Sequence, residues 1–238
     1  MANFPFQRLQ ADLAKLIANT PAGSRLTSEP ELAKQLGVSR ATLREAMRTF
    51  ETQGLIRRRQ GSGTYVVGKF GVIDAGLEVL ESLETMAHRK NLQVSVSDLQ
   101  VEQQDADAKT AEGLCVEAGT RIIRVRRVMR AEGRPVAYLV DSLPEDYLKA
   151  SDLPREFSGS VLDFLLAGGR DLQLSRANIG ATNATADVAK PLEIQRDDVL
   201  LQFDAQLYDS KGKVVDYSVS YFIPGYFQFH VNRRVGGS

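Results

Sequence analysis

Three arginines, Arg40, Arg44 and Arg48, recur at every fourth residue in the N-terminal part of the chain. In a helix this spacing places them one above another on a single face. A guanidinium group binds phosphate oxygens, and it can also donate two hydrogen bonds to one guanine. The row therefore fits a helix laid against nucleic acid, although an isolated row of three arginines is more often a solvated helix surface.

Two short helices joined at a glycine are predicted around this row, over residues 28–48. Ser28 and Glu31 have the spacing of a capping box, and Ser39 is a second N-cap after the turn at Gly37. Behind the arginines, apolar residues recur at the spacing of one buried face, namely Leu43, Ala46, Met47 and Phe50. This is the pattern of a helix-turn-helix, whose second helix enters the major groove of DNA.

Beyond Gly54 the pattern changes from helical to extended, which predicts a hairpin. Residues 55–56 and 64–67 form two strand-like runs, and the Gly-Ser-Gly segment at 61–63 can supply positive φ angles between them. Arg58 lies on one arm between two further arginines. A basic hairpin with small residues at its tip can approach a phosphate backbone closely, so it is predicted to act as a wing.

These motifs closely resemble the winged-helix domain of the GntR family of bacterial transcription regulators. The resemblance covers about the first 68 residues, through Leu-Thr-Ser-Glu-Pro-Glu-Leu-Ala at 26–33, Val-Ser-Arg-Ala-Thr-Leu-Arg-Glu-Ala at 38–46 and Gly-Ser-Gly-Thr at 61–64. It implies double-stranded DNA as the partner. The DNA-binding residues are expected to be Ser28, Glu29, Ser39, Arg40, Thr42, Arg44, Arg48, Arg58, Gly61, Gly63 and Thr64. Pro30 stands where many members carry a DNA-contacting arginine, and proline fits the first turn of a helix.

Charge is split unevenly along the chain, although the formal net charge is zero. Residues 1–70 carry 11 Lys/Arg against 5 Asp/Glu, and the remainder carries 19 against 25. A basic head on an acidic body is expected when only one domain faces phosphate.

The chain has 238 residues, of which 43% are hydrophobic, as in an ordinary soluble protein of two domains. No apolar run approaches the ~20 residues that span a bilayer, and the first residues lack the layout of a signal peptide. We therefore expect a cytoplasmic protein that does not enter a membrane. Cys115, the single cysteine, cannot form an internal disulfide and is expected in the core. No metal site or cofactor is expected.

The predicted domains are the winged helix at 1–68, a glycine-containing linker at 69–76 and a second domain at 77–238. Helices are predicted in the second domain at 77–89, 106–114, 160–167 and 184–192. Strands are predicted at 93–104, 121–131, 135–143, 172–181, 199–209 and 213–223. Hairpins interleaved with short helices indicate an antiparallel sheet domain, so the predicted fold class is α+β.

The second domain resembles, more loosely, the effector-binding UTRA domain of the HutC subfamily of GntR regulators, which has the fold of chorismate lyase. The resemblance rests on the order of elements and on four segments, at residues 124–128, 133–138, 160–165 and 215–218. It implies a regulator whose affinity for DNA changes when a small metabolite occupies this domain.

Arg127 is the single cation on a strand face that it shares with Ile123, Val125 and Met129. A buried guanidinium needs an anionic partner, which is either a protein carboxylate or a ligand. The resemblance favours a ligand, because Arg127 matches an anion-binding arginine of the family. Met129 and Leu139 stand where relatives that respond to sugar phosphates carry an arginine and a glutamate. The effector is therefore expected to be a smaller or more apolar anion than a sugar phosphate.

Five further residues are candidates for the effector site. Ser160 heads a predicted helix and is either an ordinary N-cap or an anion ligand. Asp216, Ser218 and Phe222 share one face of a strand, which is either a pocket wall or a wetted sheet surface. Tyr138 lies on the hairpin arm beside Arg127. The resemblance places ligand contacts at several of these positions.

The family resemblance implies a repressor that responds to a small effector, which the residues around Arg127 predict to be an anion. A homodimer on a palindromic operator is expected, because two-fold proteins bind two-fold sites. An enzyme is the alternative that a lyase-like fold suggests. Against it, His88 and His230 are far apart, and no catalytic residue, nucleophile elbow or phosphate loop is recognisable. A third possibility is an architectural DNA-binding protein with a degenerate sensor.

Overall fold

The computed structural model describes residues 4–21, 23–52, 54–59, 62–66, 73–89, 91–154, 157 and 159–232. The backbone divides into two units. One comprises Met1–Val72 with Pro224–Tyr226, and the other comprises Ile73–Ile223 with Phe227–Ser238. This division follows the change from the basic to the acidic part of the sequence.

Three helices and a hairpin make up the N-terminal unit: α1 (Phe4–Asn19), α2 (Glu29–Gln35), α3 (Arg40–Thr52), β1 (Ile56–Arg59) and β2 (Gly63–Val66). The two strands pair antiparallel, with Ile56 opposite Val66 and Arg59 opposite Gly63. Gln60 and Gly61, at the predicted tip of the wing, lie outside the described residues. The predicted helix-turn-helix followed by a hairpin is confirmed.

Caps and a single apolar core hold these helices in place. Ser28 and Glu31 form the predicted capping box of α2, and the Thr42 amide donates to Ser39 Oγ over 3.1 Å at the start of α3. The core comprises Leu9, Leu13, Ile17, Leu26, Leu32, Ala33, Leu43, Ala46, Met47, Phe50, Ile56 and Val66. Burying a large apolar side chain contributes roughly 1.5–3 kcal/mol. The predicted apolar face of α3 therefore fixes that helix, and with it the direction of its opposite face.

Strands dominate the C-terminal unit: β3 (Ile73–Gly76), β4 (Val94–Asp105), β5 (Arg121–Ala131), β6 (Arg134–Pro144), β7 (Leu172–Asn183), β8 (Val199–Asp209), β9 (Val214–Phe222) and β10 (Phe227–His230). Six of them form an antiparallel sheet in the order β4-β5-β6-β9-β8-β7. β3 and β10 form a separate parallel pair. The α+β class with an antiparallel sheet is confirmed.

Short helices cover both faces of this sheet: α4 (Leu83–Arg89), α5 (Ala108–Leu114), α6 (Val161–Ala167) and α7 (Ala186–Ala189). On one face, Val161 and Leu165 of α6 pack in a cluster with Ile123 and Val125. On the other face, α5 packs with Ile122 and neighbouring residues. No helix in the described part of the chain is long and apolar enough to cross a membrane.

Two predicted helices are shorter in the structure than the sequence indicated. The helix predicted over 77–89 begins only at Leu83, since Ser82 Oγ accepts a hydrogen bond from the Thr85 amide over 3.0 Å and acts as its N-cap. The helix predicted over 184–192 is confined to Ala186–Ala189. Apolar spacing alone does not reveal where such short helices stop.

The predicted linker at 69–76 is wrong in its second half. Residues 73–76 form strand β3, which pairs with Phe227–His230. Ile73 and Ala75 are buried in a cluster with Met86, so this segment belongs to the packed C-terminal unit.

Cys115, expected in the core, is exposed and has left-handed backbone geometry after α5.

Candidate functional sites

The arginine row lies on the side of α3 that faces away from the core. Arg40 and Arg44 are exposed and Arg48 is half-buried, whereas Leu43 and Ala46 on the opposite side are fully buried. Arg48 Nη1 lies 3.9 Å from a carboxylate oxygen of Glu45, one turn earlier. The packing of α3 therefore presents the two leading arginines to a partner outside the unit.

Hydroxyl groups at the starts of α2 and α3 serve mainly as caps. Ser28 Oγ donates to a Glu31 carboxylate oxygen over 2.7 Å. Ser39 Oγ lies 2.8 Å from Thr42 Oγ1, and both residues are exposed in the first turn of α3. Ser39 and Thr42, both predicted to bind DNA, therefore lie beside Arg40, while Ser28 stabilises the preceding helix.

The Glu29 side chain contacts both α3 and the wing. Its Oε2 accepts a hydrogen bond from Arg44 Nε over 2.6 Å, and its Oε1 lies 3.8 Å from Arg58 Nε. Arg58 Nε is also 3.6 Å from Glu51 Oε2, and the Arg58 amide donates to Glu51 Oε1 over 3.3 Å. Sequence reasoning missed Glu51, since nothing in the sequence signals a contact across the end of α3.

The wing combines one residue that must be glycine with one that faces inward. Gly63 has a φ of +115°, and a Cβ added there would lie 2.5 Å from Arg25 Nε. Arg25 is therefore a basic residue beside the wing, which the sequence analysis did not identify. Thr64 is only 7% exposed, and its carbonyl accepts a hydrogen bond from the Leu26 amide over 2.8 Å. The structure therefore places the predicted DNA-binding residue Thr64 with its side chain turned away from solvent. Gly61 lies outside the described residues.

One face of the large sheet gathers most of the predicted effector residues. In the strand register, Arg127 lies opposite Leu139, which lies opposite Ser220. Directly opposed residues share a face of the sheet. Asp141 lies opposite Ser218 on this same face. Asp216 and Phe222 each lie two residues from one of these serines along β9, and every second residue of a strand points to the same face. The structure therefore places both of them on the face of Arg127 as well.

Arg127 already has a protein partner on this face. It is 5% exposed and forms an ion pair with Asp141, the protein carboxylate that the sequence left open as an alternative. Burial opposes its charge, but Asp141 and then Glu84 raise the pKa of the guanidinium overall. Burial, reinforced by Asp141, raises the pKa of the Asp216 carboxyl well above its ordinary value. Asp216 Oδ1 accepts from the Ser142 amide over 3.2 Å.

Ser160 and Phe222 have structural roles that account for their positions. Ser160 Oγ accepts from the Asp163 amide over 3.2 Å as the N-cap of α6, and the residue is 5% exposed. Phe222 is 3% exposed. Its ring centre lies 5.1, 4.9 and 5.0 Å from those of Phe203, Phe227 and Phe229, respectively. Both residues therefore border the predicted pocket face as parts of the core.

Tyr138 does not join Arg127, which corrects its predicted place in the same pocket. It lies opposite Val128 and Tyr221, on the other face of the sheet, and its ring stacks on Tyr221 at 6.3 Å. Burial raises the pKa of its hydroxyl. There it lines a cleft of about 350 Å³ with charged residues that include Arg130 and Glu193.

Comparison with known families matches the two units in the order predicted from the motifs. Residues 6–66 match the gntR family of bacterial regulatory proteins, and residues 89–228 match the UTRA domain. The second match alone covers more than half of the chain.

Relatives similar over most of the chain are transcriptional regulators. The HTH-type transcriptional regulator Rv0792c of Mycobacterium tuberculosis is 27% identical over 236 residues, covering 92% of this chain and 81% of that protein. The probable transcriptional regulator PhnF of Escherichia coli is 29% identical over 220 residues, covering 90% and 89%. The crystal structure of PhnF from Mycobacterium smegmatis aligns with a TM-score of 0.65 and 20% identity, over 96% of this chain and 100% of that chain.

The structural likeness supports the fold, and the matched families support the function. Both families and both named relatives are those of a transcriptional regulator rather than an enzyme. The chain therefore belongs to the UTRA family of transcriptional regulators and carries a gntR-family DNA-binding domain followed by an effector-binding domain.

Proposed function

We propose that this regulator is a repressor that binds a palindromic operator as a homodimer and leaves it when a small anionic metabolite binds the C-terminal unit. The observation that carries the proposal is the arrangement of α3. Its apolar side is locked in the core, while Arg40 and Arg44 project from the opposite side. A helix held in this way can enter the major groove with its arginines directed at guanine edges and phosphates.

The effector is proposed to bind on the sheet face that carries Arg127, Asp141 and Ser218. Arg127 Nη1 is paired with Asp141, so an anion could bind the guanidinium by displacing that carboxylate or by using Arg127 Nε. Within the described residues, this nitrogen is buried and has no hydrogen-bond partner. A displaced, buried Asp141 carboxylate would be costly unless it found another hydrogen-bond partner. An effector that displaces Asp141 would therefore rearrange the ion pair, whereas one that binds Arg127 Nε would leave it in place.

Strand β7 supports the homodimer. It forms one edge of the sheet, runs for 12 residues and is exposed along nearly its whole length. Its only charged side chain is Arg176, it contains no proline, and Leu174 and Ile179 are 60% and 47% exposed. Soluble proteins usually guard such an edge with charges, prolines or bulges. Antiparallel pairing with β7 of a second copy about a two-fold axis would satisfy its backbone groups.

Selection from random DNA duplexes by the full chain tests the proposal. We expect the selected sequences to be inverted repeats, because a two-fold protein binds a two-fold site. A panel of small carboxylates and sugar phosphates is then screened for compounds that raise the thermal midpoint of the protein. Those that do should release it from the selected duplex in a gel shift. Selection of asymmetric sites would contradict the dimer, and stabilisation by sugar phosphates alone would contradict the effector class.

A constitutive architectural role is a second candidate, favoured by one observation. The ion pair between Arg127 and Asp141 gives the guanidinium charge a protein partner without any ligand. If no compound in the panel raises the thermal midpoint or changes the affinity for the selected duplex, the architectural role is the better explanation.

A further inference from the structure

Glu29 is the first residue of α2 after the Ser28 cap, and its carboxylate contacts two other elements. Its side chain is 20% exposed, whereas that of Arg44 is 54% exposed. One carboxylate oxygen accepts from Arg44 Nε over 2.6 Å, and the other lies 3.8 Å from Arg58 Nε. A largely buried carboxylate therefore holds the inner edge of an exposed arginine on α3 and lies close to an arginine on β1.

This contact leaves the outer end of the Arg44 guanidinium available. Arginine has five N–H donors in one rigid plane, and Glu29 uses the one nearest the chain. Recognition of guanine by arginine needs two donors held in plane with the O6 and N7 acceptors. A side chain with its orientation already fixed loses less conformational freedom on binding.

We propose that Glu29 is a specificity-determining positioning residue, which aims Arg44 at one guanine of each half-site without itself touching DNA. Direct contact of Glu29 with a base is disfavoured, because both of its oxygens face arginines and the side chain is mostly buried. The inference rests on the proposed role of Arg44 at the operator. It goes beyond that role by assigning the base preference to a half-buried acidic residue.

Removing the Glu29 carboxylate should have two effects of opposite sign, one on the affinity for any duplex and one on the preference for a particular base pair. Glu29→Ala should leave the affinity for non-specific duplex unchanged or raise it, since one negative charge is lost near the phosphates. It should also reduce discrimination at a single base pair per half-site by about tenfold, the scale of one bidentate arginine–guanine contact. A residue that only stabilised the fold would change both affinities together.

The test uses the full chain and the duplex selected by the wild-type protein, with each base pair of one half-site changed in turn. Fluorescence anisotropy gives the Kd of wild type, Glu29→Ala, Arg44→Ala and the double variant for every duplex. We expect both single variants to lose discrimination at the same base pair and the double variant to lose no more. Glu29→Gln, which keeps an oxygen acceptor, should retain part of the preference.

Two matched variants separate this role from structural and charge effects. Glu31→Ala removes the capping-box carboxylate of the same helix, and Glu45→Ala removes a 65% exposed carboxylate from α3. Thermal midpoints report any loss of fold. The inference is overturned if Glu29→Ala keeps the wild-type preference at every base pair, or if Glu31→Ala loses the same preference. If the wild-type protein selects no sequence at all, the proposed operator binding fails instead.

Discussion

At the scale of single residues, the buried Arg127 is surrounded by more carboxyl groups than it can neutralise. Asp141, Glu84 and Asp216 all act on its charge. Removing several charges from water costs several kcal/mol for each ion, which one opposite charge does not offset. Burial accordingly raises the pKa of the Asp216 carboxyl and that of Glu84. Burial therefore makes the charged form of Asp216 costly in the folded chain.

Asp216→Asn should stabilise the protein at neutral pH, because the amide imitates the protonated carboxyl. A carboxyl whose pKa is raised by folding contributes stability below its unfolded pKa of about 3.9, and this contribution is lost as the pH rises through the folded pKa. At pH 7 the thermal midpoint of the variant should therefore exceed that of wild type, by about 2–4 °C for each kcal/mol added to the free energy of unfolding. The difference should vanish near pH 4.

Thermal unfolding measured between pH 4 and pH 8 checks this expectation. Asp146→Asn, at an exposed position, serves as the control for general loss of negative charge. A variant Asp216→Asn that was less stable than wild type at neutral pH would mean that the carboxylate itself is the favoured form.

The sequence predicted that Arg127 needs an anionic partner, but it could not select between a ligand and a protein group. Alternation along β5 places Arg127 among apolar residues, and that local pattern is visible in the sequence. Asp141 becomes its neighbour only through the pairing of β5 with β6, whose register shifts between Met129 and Arg130. The same long-range register sets the face of Tyr138, so its misplacement has the same physical cause.

At the scale of elements, the long edge strand β7 is the feature with the clearest consequence. The opposite edge strand β4 is interrupted between Ser97 and Gln100, whereas β7 is regular from Leu174 to Asn183. A regular, weakly charged edge is a ready template for pairing with another chain. This difference makes β7 the better candidate for the dimer interface.

The double substitution Leu174→Lys/Ile179→Lys should convert the proposed dimer to a monomer. Lysines in place of the exposed Leu174 and Ile179 would guard the edge, because charged side chains, lysine above all, oppose pairing of an edge strand with another chain. Sedimentation velocity gives the state of association, and the affinity for a duplex with one half-site should stay near the wild-type value. Leu166→Lys on α6, which is 50% exposed, is the control. An unchanged dimer in the double variant would exclude β7 as the interface.

Elements with strong local signals were predictable, and those that depend on distant pairing were not. The apolar spacing and caps of α3 define it almost to the residue. β3 is four residues long and exists because it pairs with β10, more than 150 positions later. The glycines around it favoured a linker, and tertiary packing overrode that local preference.

At the scale of the whole molecule, an excess of positive charge lies in the N-terminal part of the chain and an excess of negative charge in the remainder. The basic N-terminal part attracts a polyanion, while the acidic remainder, with 19 Lys/Arg against 25 Asp/Glu, repels it. This division orients the molecule before any specific contact forms. The gntR-family match lies in the basic part and the UTRA match in the acidic part, so DNA binding and effector binding belong to different parts of one chain.

Hydrogen–deuterium exchange of the full chain, with and without the duplex that it selects, tests this assignment most directly. Backbone amides of residues 39–66, which span α3 and the wing, should exchange more slowly when the duplex is bound, because DNA excludes water from them. Amides of β4, β5, β6 and β9 should be unaffected. Protection spread over that sheet, with none in α3, would contradict the claim that the N-terminal unit binds the operator.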